Sequence, residues 1–247
     1  MPKRATATRG RAKAATSARL TKAERDDLAR EAVDAVLGLR RRGVPGAREV
    51  RKRLSARLKG AHPADVIAIG ASIAAAPAMK AHRARWVGWE LINKHPAALD
   101  HLDPTTVETL GAGNSSWDEV DGYGIYVAGA AWLRGIVRDA DVRRWAQSDD
   151  LWTRRAALVS TVVLNTKTHG GTGDAKRALA IAKVLIDDRE DMVVKALSWA
   201  LRCLVNWDRV AVETFLAEHE DRLAARVKRE TRTKLRTGKK NAWRDKR

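Results

Sequence analysis

Trp117 and Asp121 stand four residues apart in Asn114-Ser115-Ser116-Trp117-Asp118-Glu119-Val120-Asp121, a stretch that reads as a helix start with Ser115 or Ser116 as N-cap. At that spacing the two side chains share one helical face. An indole plane beside a carboxylate can hold a planar cationic base and stabilise positive charge developing on its sugar. The same pair is also ordinary packing combined with a cap or salt bridge. In Leu151-Trp152-Thr153-Arg154-Arg155-Ala156-Ala157-Leu158, two arginines occupy the first turns of an otherwise apolar helix. There a guanidinium either reaches a phosphate or pairs with a carboxylate of an adjoining helix. In Lys195-Ala196-Leu197-Ser198-Trp199-Ala200-Leu201-Arg202, Trp199 is one large indole among small neighbours, either accessible on a concave face or filling the core.

These residues need helices to position them, and the pattern supplies helices only. Thr21 and Glu24 have capping-box spacing ahead of Leu28, Val33, Val36, Leu37 and Leu39, which recur at helical intervals. Residues 40–45 break that helix, and a second carries Val50 and Leu54. Further helical runs are expected over 64–76, 80–94, 104–110, 116–133, 140–147, 151–165, 175–187, 191–206 and 209–235. No segment alternates with period two, so the predicted class is all-α. Short Pro- or Gly-marked connections between helices of similar length indicate stacked helix pairs. The separations of 38 residues from Trp117 to Arg155 and 44 from Arg155 to Trp199 approach the roughly 40–47 of HEAT-type units. The expected architecture is a HEAT-like helical-repeat solenoid, whose concave face suits a long curved ligand such as duplex DNA.

Charge favours the same kind of partner. The 247 residues carry a formal net charge of +18 with 45% hydrophobic residues, enough for a sizeable core. Residues 1–19 hold six Lys or Arg and no acid, and residues 222–247 hold twelve against Glu230 and Asp245, so the two ends account for +16 of the total. Such ends attract polyanions by counterion release, with nucleic acid the first partner to consider and an acidic membrane surface the second. The most apolar stretch, 66–76, is short and alanine-rich, and no apolar run follows the basic N-terminus. The expected setting is cytoplasmic and nucleoid-associated, with no membrane partner. Lone Cys203 excludes an intramolecular disulfide and a multi-cysteine zinc site, and reads as a small helical core residue. The six histidines lack metal-ligand spacing, so neither a metal nor another cofactor is expected. The glycine-rich stretch 169–174 lacks the Gly-Lys-Ser/Thr ending of a phosphate loop and reads as a flexible interhelical loop. Nine tryptophans against one phenylalanine and two tyrosines suggest that some indoles work at the surface.

The blocks SWDEVD, LWTRRAAL and KALSWALR, in this order and at these separations, resemble the HEAT-repeat DNA alkylation repair glycosylases of the AlkD type. The likeness runs from about Leu20 to Asn241 and is strongest over 114–202. It implies a monofunctional glycosylase of base excision repair that removes cationic N3- or N7-alkylated purines from double-stranded DNA, without flipping the base into a pocket. On that resemblance Asp121 is the catalytic carboxylate, Trp117 and Trp199 contact the lesion's deoxyribose, and Arg155 holds the phosphate. Ser116 stands where some relatives carry a second aromatic before the first tryptophan. The expected organisation is a disordered basic arm over 1–19, a HEAT-like glycosylase domain over 20–241 and a basic tail over 242–247, working as a monomer. Two other readings stay open at this level: a non-catalytic HEAT scaffold that binds nucleic acid, and a protein-interaction solenoid.

Overall fold

The computed structural model describes residues 19–41 and 43–240, so most of the expected basic arm and the C-terminal tail lie outside the described residues. Its helices are α1 (Lys22–Leu37), α2 (Val44–Arg57), α3 (Pro63–Ala75), α4 (Pro77–Ala81), α5 (Trp86–Lys94), α6 (Pro104–Gly111), α7 (Trp117–Tyr123), α8 (Gly129–Leu133), α9 (Asp139–Ala146), α10 (Leu151–Leu164), α11 (Ala175–Val184), α12 (Asp191–Leu204), α13 (Arg209–Glu218) and α14 (Ala225–Thr237). Among the described residues there is no strand, as the absence of period-two patterning predicts.

Local chemistry explains where many of these helices start. Thr21 and Glu24 form the expected capping box of α1. Asp103, Asp150, Asp174 and Asp208 each accept a hydrogen bond from an amide in the first turn of α6, α10, α11 and α13. Proline opens α3, α4 and α6, where a missing N–H costs nothing. Alternate helices then pack side by side. α1 lies against α3, α3 against α5, α5 against α7, α7 and α8 against α10, α10 against α12, and α12 against α14. α9 and α11 pack against each other and against α10, and α2 rests on α1 and α5. The seams are filled by side chains such as Ile69, Ile73, Leu91, Ile92, Leu158, Leu197 and Leu201, together with the fully enclosed indoles of Trp89 and Trp132. Burying each such aliphatic side chain contributes about 1.5–3 kcal/mol.

Two expected helices are divided. The run 80–94 is interrupted after Ala81, because Arg83 adopts φ +54° and turns the chain before α5. The run 209–235 is interrupted at residues 219–224 without a proline or glycine. The cause is tertiary: Leu223 is buried, Arg222 pairs with Asp187, and the Arg222 carbonyl accepts a hydrogen bond from Arg189. The expected run 116–133 follows one helical path, with a π-helical turn at Gly124–Ala128 between α7 and α8. The glycine-rich stretch, expected to be a flexible loop, is tied down by hydrogen bonds that the Gly171 and Gly173 amides donate to the Thr166 and Leu164 carbonyls.

The start of the chain is anchored by an ion-pair network. Asp65, wholly enclosed on α3, accepts from Arg19 at 2.9 Å, Arg25 at 2.8 Å and the Leu20 amide at 2.9 Å. Arg19, the last residue of the expected arm, is thus already attached to the helical body. Burial pushes the Asp65 carboxyl upward, but the Leu20 amide and the two arginines outweigh it, so it titrates below the usual carboxylate value. Removing one partner of a buried ion pair leaves the others uncompensated, so Asp65→Asn is expected to lower unfolding stability in urea by about 3 kcal/mol. A carboxylate held low stabilises the fold above its unfolded pKa and loses that contribution as pH falls. The wild-type advantage over Asp65→Asn should therefore shrink below about pH 4.

Candidate functional site

The first turn of α7 is fixed from beneath. Ser116 occupies the N-cap position, yet its side chain makes no bond to the helix backbone. The buried Glu119 carboxylate instead accepts the Ser115 amide at 2.7 Å and lies 3.8 Å from Arg85. Val120 and Tyr123 point into the core, and the Tyr123 hydroxyl donates to the Val107 carbonyl at 2.9 Å. Trp117 and Asp121 are left on the other face, with Trp117 49% exposed, the most open tryptophan among the described residues.

Close helix approach determines what Asp121 meets. At Gly124 and Gly129 an added Cβ would lie 2.7 Å from Val159 and 2.6 Å from Val163, so only glycine lets the α7–α8 segment pack this tightly on α10. The π-helical turn falls at the same place, a distortion frequently found beside functional sites. Arg155 of α10 then reaches Asp121 Oδ1 through Nε at 3.1 Å and Nη2 at 2.8 Å, while its Nη1 donates to the Met192 carbonyl at the start of α12. The Arg155 side chain is 5% exposed and that of Asp121 20%. Burial pushes the Asp121 carboxyl above the ordinary carboxylate value; the Arg155 charge and its hydrogen bonds oppose the rise without cancelling it, and Asp118 adds to it. Asp121 is consequently a desolvated carboxylate with one oxygen doubly hydrogen-bonded.

The four residues singled out by sequence come together. Trp117, Asp121, Arg155 and Trp199 line one open cleft of about 490 Å3, with Lys195, Arg202, Arg226 and Lys240 around it. Trp199 is partly buried on α12 beside Ser198, whose hydroxyl donates to Glu230 at 2.8 Å. Arg155, implied by the resemblance to hold a phosphate, has each of its guanidinium nitrogens directed to Asp121 or Met192. The interhelical pair, the other reading of its position, is what the geometry contains. Cys203 is half-buried on the same helix, and burial pushes its thiol upward.

A second cleft of about 640 Å3 shares Trp117 and Asp121 and is otherwise formed by residues that sequence reasoning did not single out as candidates for the site. Trp86 and Tyr126 supply aromatic surface there, and the Arg48 guanidinium lies 5.2 Å from the Trp86 ring while Arg83 lies 5.1 Å from that of Trp117. The one signal was the pair of indoles in Trp86-Val87-Gly88-Trp89. Nothing local says that Trp89 turns inward, donating to the Leu110 carbonyl at 3.0 Å, while Trp86 faces the cleft. Among the described residues, no group of three or more His, Cys, Asp and Glu side chains is placed to share a metal ion, and no helix is long and apolar enough to cross a membrane.

The opposition between burial and Arg155 yields a direct test. Arg155→Met removes the charge and both hydrogen bonds while keeping an unbranched side chain, so the Asp121 carboxyl should titrate at a higher pH than in the wild type. A 13C-carboxyl NMR titration measures this, and an unchanged midpoint would show that Arg155 does not stabilise the carboxylate.

The comparisons with known proteins agree with this geometry at the level of family. A family model described as DNA alkylation repair enzyme matches residues 10–235. Searches among curated proteins and among solved structures returned no match. With a match over most of its length, the chain belongs to the DNA alkylation repair enzyme family, and its role lies in DNA alkylation repair.

Proposed function

We propose that the protein is a monofunctional DNA glycosylase that hydrolyses the N-glycosidic bond of N3- and N7-alkylated purines in duplex DNA, leaving the base unflipped. The observation that carries this reading is the desolvated Asp121 carboxylate in a cleft lined by the exposed Trp117 and the partly buried Trp199, with Lys and Arg around it. The alternate packing of α1, α3, α5, α7, α10, α12 and α14 supports a HEAT-like solenoid whose concave face takes the duplex.

The chemistry follows from the charge on the lesion. An N3- or N7-alkylpurine is cationic, so when the bond from C1′ to the base nitrogen breaks, the base takes the electron pair and leaves neutral. No general acid is needed. Positive charge develops on the deoxyribose, and the Asp121 carboxylate opposes that charge. At 4 Å and an effective dielectric near 20, two unit charges attract by about 4 kcal/mol, close to a thousandfold in rate. Water then adds to C1′ and gives up a proton, which a carboxylate with a raised pKa accepts more readily than an ordinary one. The two indoles contact the deoxyribose with large, weakly hydrated faces. Arg155 keeps Asp121 in place and ionised, a role that its buried geometry supports better than a direct phosphate contact.

The test is release of N7-methylguanine and N3-methyladenine from methylated duplex DNA, without added metal. Wild-type protein should release both bases. Asp121→Asn should lose about 100- to 1000-fold of the rate while binding duplex at least as tightly, since a negative charge has been removed from the cleft. The rate depends on ionised Asp121, so it should fall as pH drops through a midpoint above the ordinary carboxylate value. Duplex binding without base release by either protein would instead favour the non-catalytic scaffold, in which the Asp121–Arg155 pair only ties α7 to α10. Deleting residues 1–18, with their five positive charges, should weaken duplex affinity and flatten its salt dependence while base release persists at saturating protein.

A further inference from the structure

The turn between α4 and α5 contains the one non-glycine residue with positive φ among the described residues, Arg83 at +54°. Glycine adopts this conformation without strain, whereas a residue with a Cβ does not. The turn does not use the arginine side chain to hold its shape. The Arg83 and Ala84 amides donate to the Lys80 and Met79 carbonyls at 3.0 and 2.8 Å. Lys80 donates to the Gly113 carbonyl at 2.9 Å. Buried Arg85 donates to the Ala74 carbonyl at 2.7 Å, Asn114 at 2.8 Å and the Ala112 carbonyl at 3.1 Å. The result is a rigid shelf bolted to the loop before α7, from which a strained arginine projects. Strain of this kind persists where the surroundings over-determine it, and it concentrates at functional positions.

The Arg83 guanidinium goes to the start of α7, with Nη2 2.7 Å from Asp118 Oδ1 and its carbon 5.1 Å from the centroid of Trp117. Trp117 needs an external support. It is the first residue of the helical path 117–133 and half exposed, so its indole is held by fewer surroundings than a buried one. Trp199, by comparison, is partly buried within the 14-residue α12. Trp117 and Asp121 line both clefts but Arg83 only the second, so the guanidinium covers the indole on that side and leaves it open toward the cleft that holds Arg155 and Trp199.

We propose that Arg83 is a positioning residue: clamped by Asp118, it holds the Trp117 indole at the mouth of the Asp121 cleft, and its strained backbone is retained for that purpose. In its effect on catalysis this rests on the glycosylase reading; in its effect on the indole it does not.

The test compares wild type, Arg83→Gly and Arg83→Lys by thermal midpoint, by single-turnover release of N7-methylguanine from methylated duplex, and by acrylamide quenching of Trp117. The Trp117 signal is isolated by subtracting the matching Trp117→Phe protein. Relief of backbone strain should leave the midpoint of Arg83→Gly no lower than wild type, while base release slows roughly ten- to a hundredfold through misplacement of the indole. Quenching of Trp117 should increase, and Arg83→Lys should recover part of both losses. Wild-type release and unchanged quenching in Arg83→Gly would overturn the proposal, as would a slower rate that only follows a lowered midpoint. If the wild type releases no base, the glycosylase reading fails and quenching alone decides: an increase supports the positioning role and no change overturns it.

Discussion

A guanidinium withdrawn from water must have its N–H groups answered and its charge matched, and Arg155 meets both needs by joining three helices. It leaves α10, takes the Asp121 carboxylate of α7 as counter-charge and caps its hydrogen bonding with the Met192 carbonyl at the start of α12. Trp117 rides on the same short helix as Asp121, and Trp199 on the same long helix as Met192. The spacing of the two indoles across the cleft therefore depends on one buried cation. The carboxylate is held in a setting whose desolvation raises its pKa, while Arg155 keeps the ionised form within reach.

That arrangement requires backbones closer than ordinary side chains permit. Gly124 and Gly129 remove the side chains that would separate the α7–α8 path from α10, and the π-helical turn absorbs the distortion where the contact is tightest. A wider separation would leave Asp121 beyond hydrogen-bond reach of Arg155, exchanging a desolvated carboxylate for a solvated one. Packing, electrostatics and chemistry are coupled here through two missing methyl-sized groups.

The cationic surroundings act on a longer scale. Some of the Lys and Arg around the Asp121 cleft already have an acidic partner: Lys195 and Arg226 both lie beside Asp191. Partly exposed pairs of this kind are worth little. Most of the charge excess lies in the two ends of the chain, and two cations of the C-terminal end, Arg226 and Lys240, line the Asp121 cleft itself.

The sequence by itself determined the helical class, because 3.6-residue periodicity and aspartate caps are local properties. It also determined the concentration of positive charge at the ends, and the three blocks that carry Trp117, Asp121, Arg155 and Trp199. Those blocks were legible because each sits within one or two helical turns. Tertiary structure alone decided that Arg155 turns inward to Asp121, 34 residues away in sequence. It alone placed Arg83 against Trp117, sent Trp89 inward and Trp86 outward, and broke the chain at residues 219–224 around Leu223. The physical reason is common to all four. A side chain on a helix or turn has several favourable partners of similar energy, and which one it takes depends on what distant segments bring within a few ångströms.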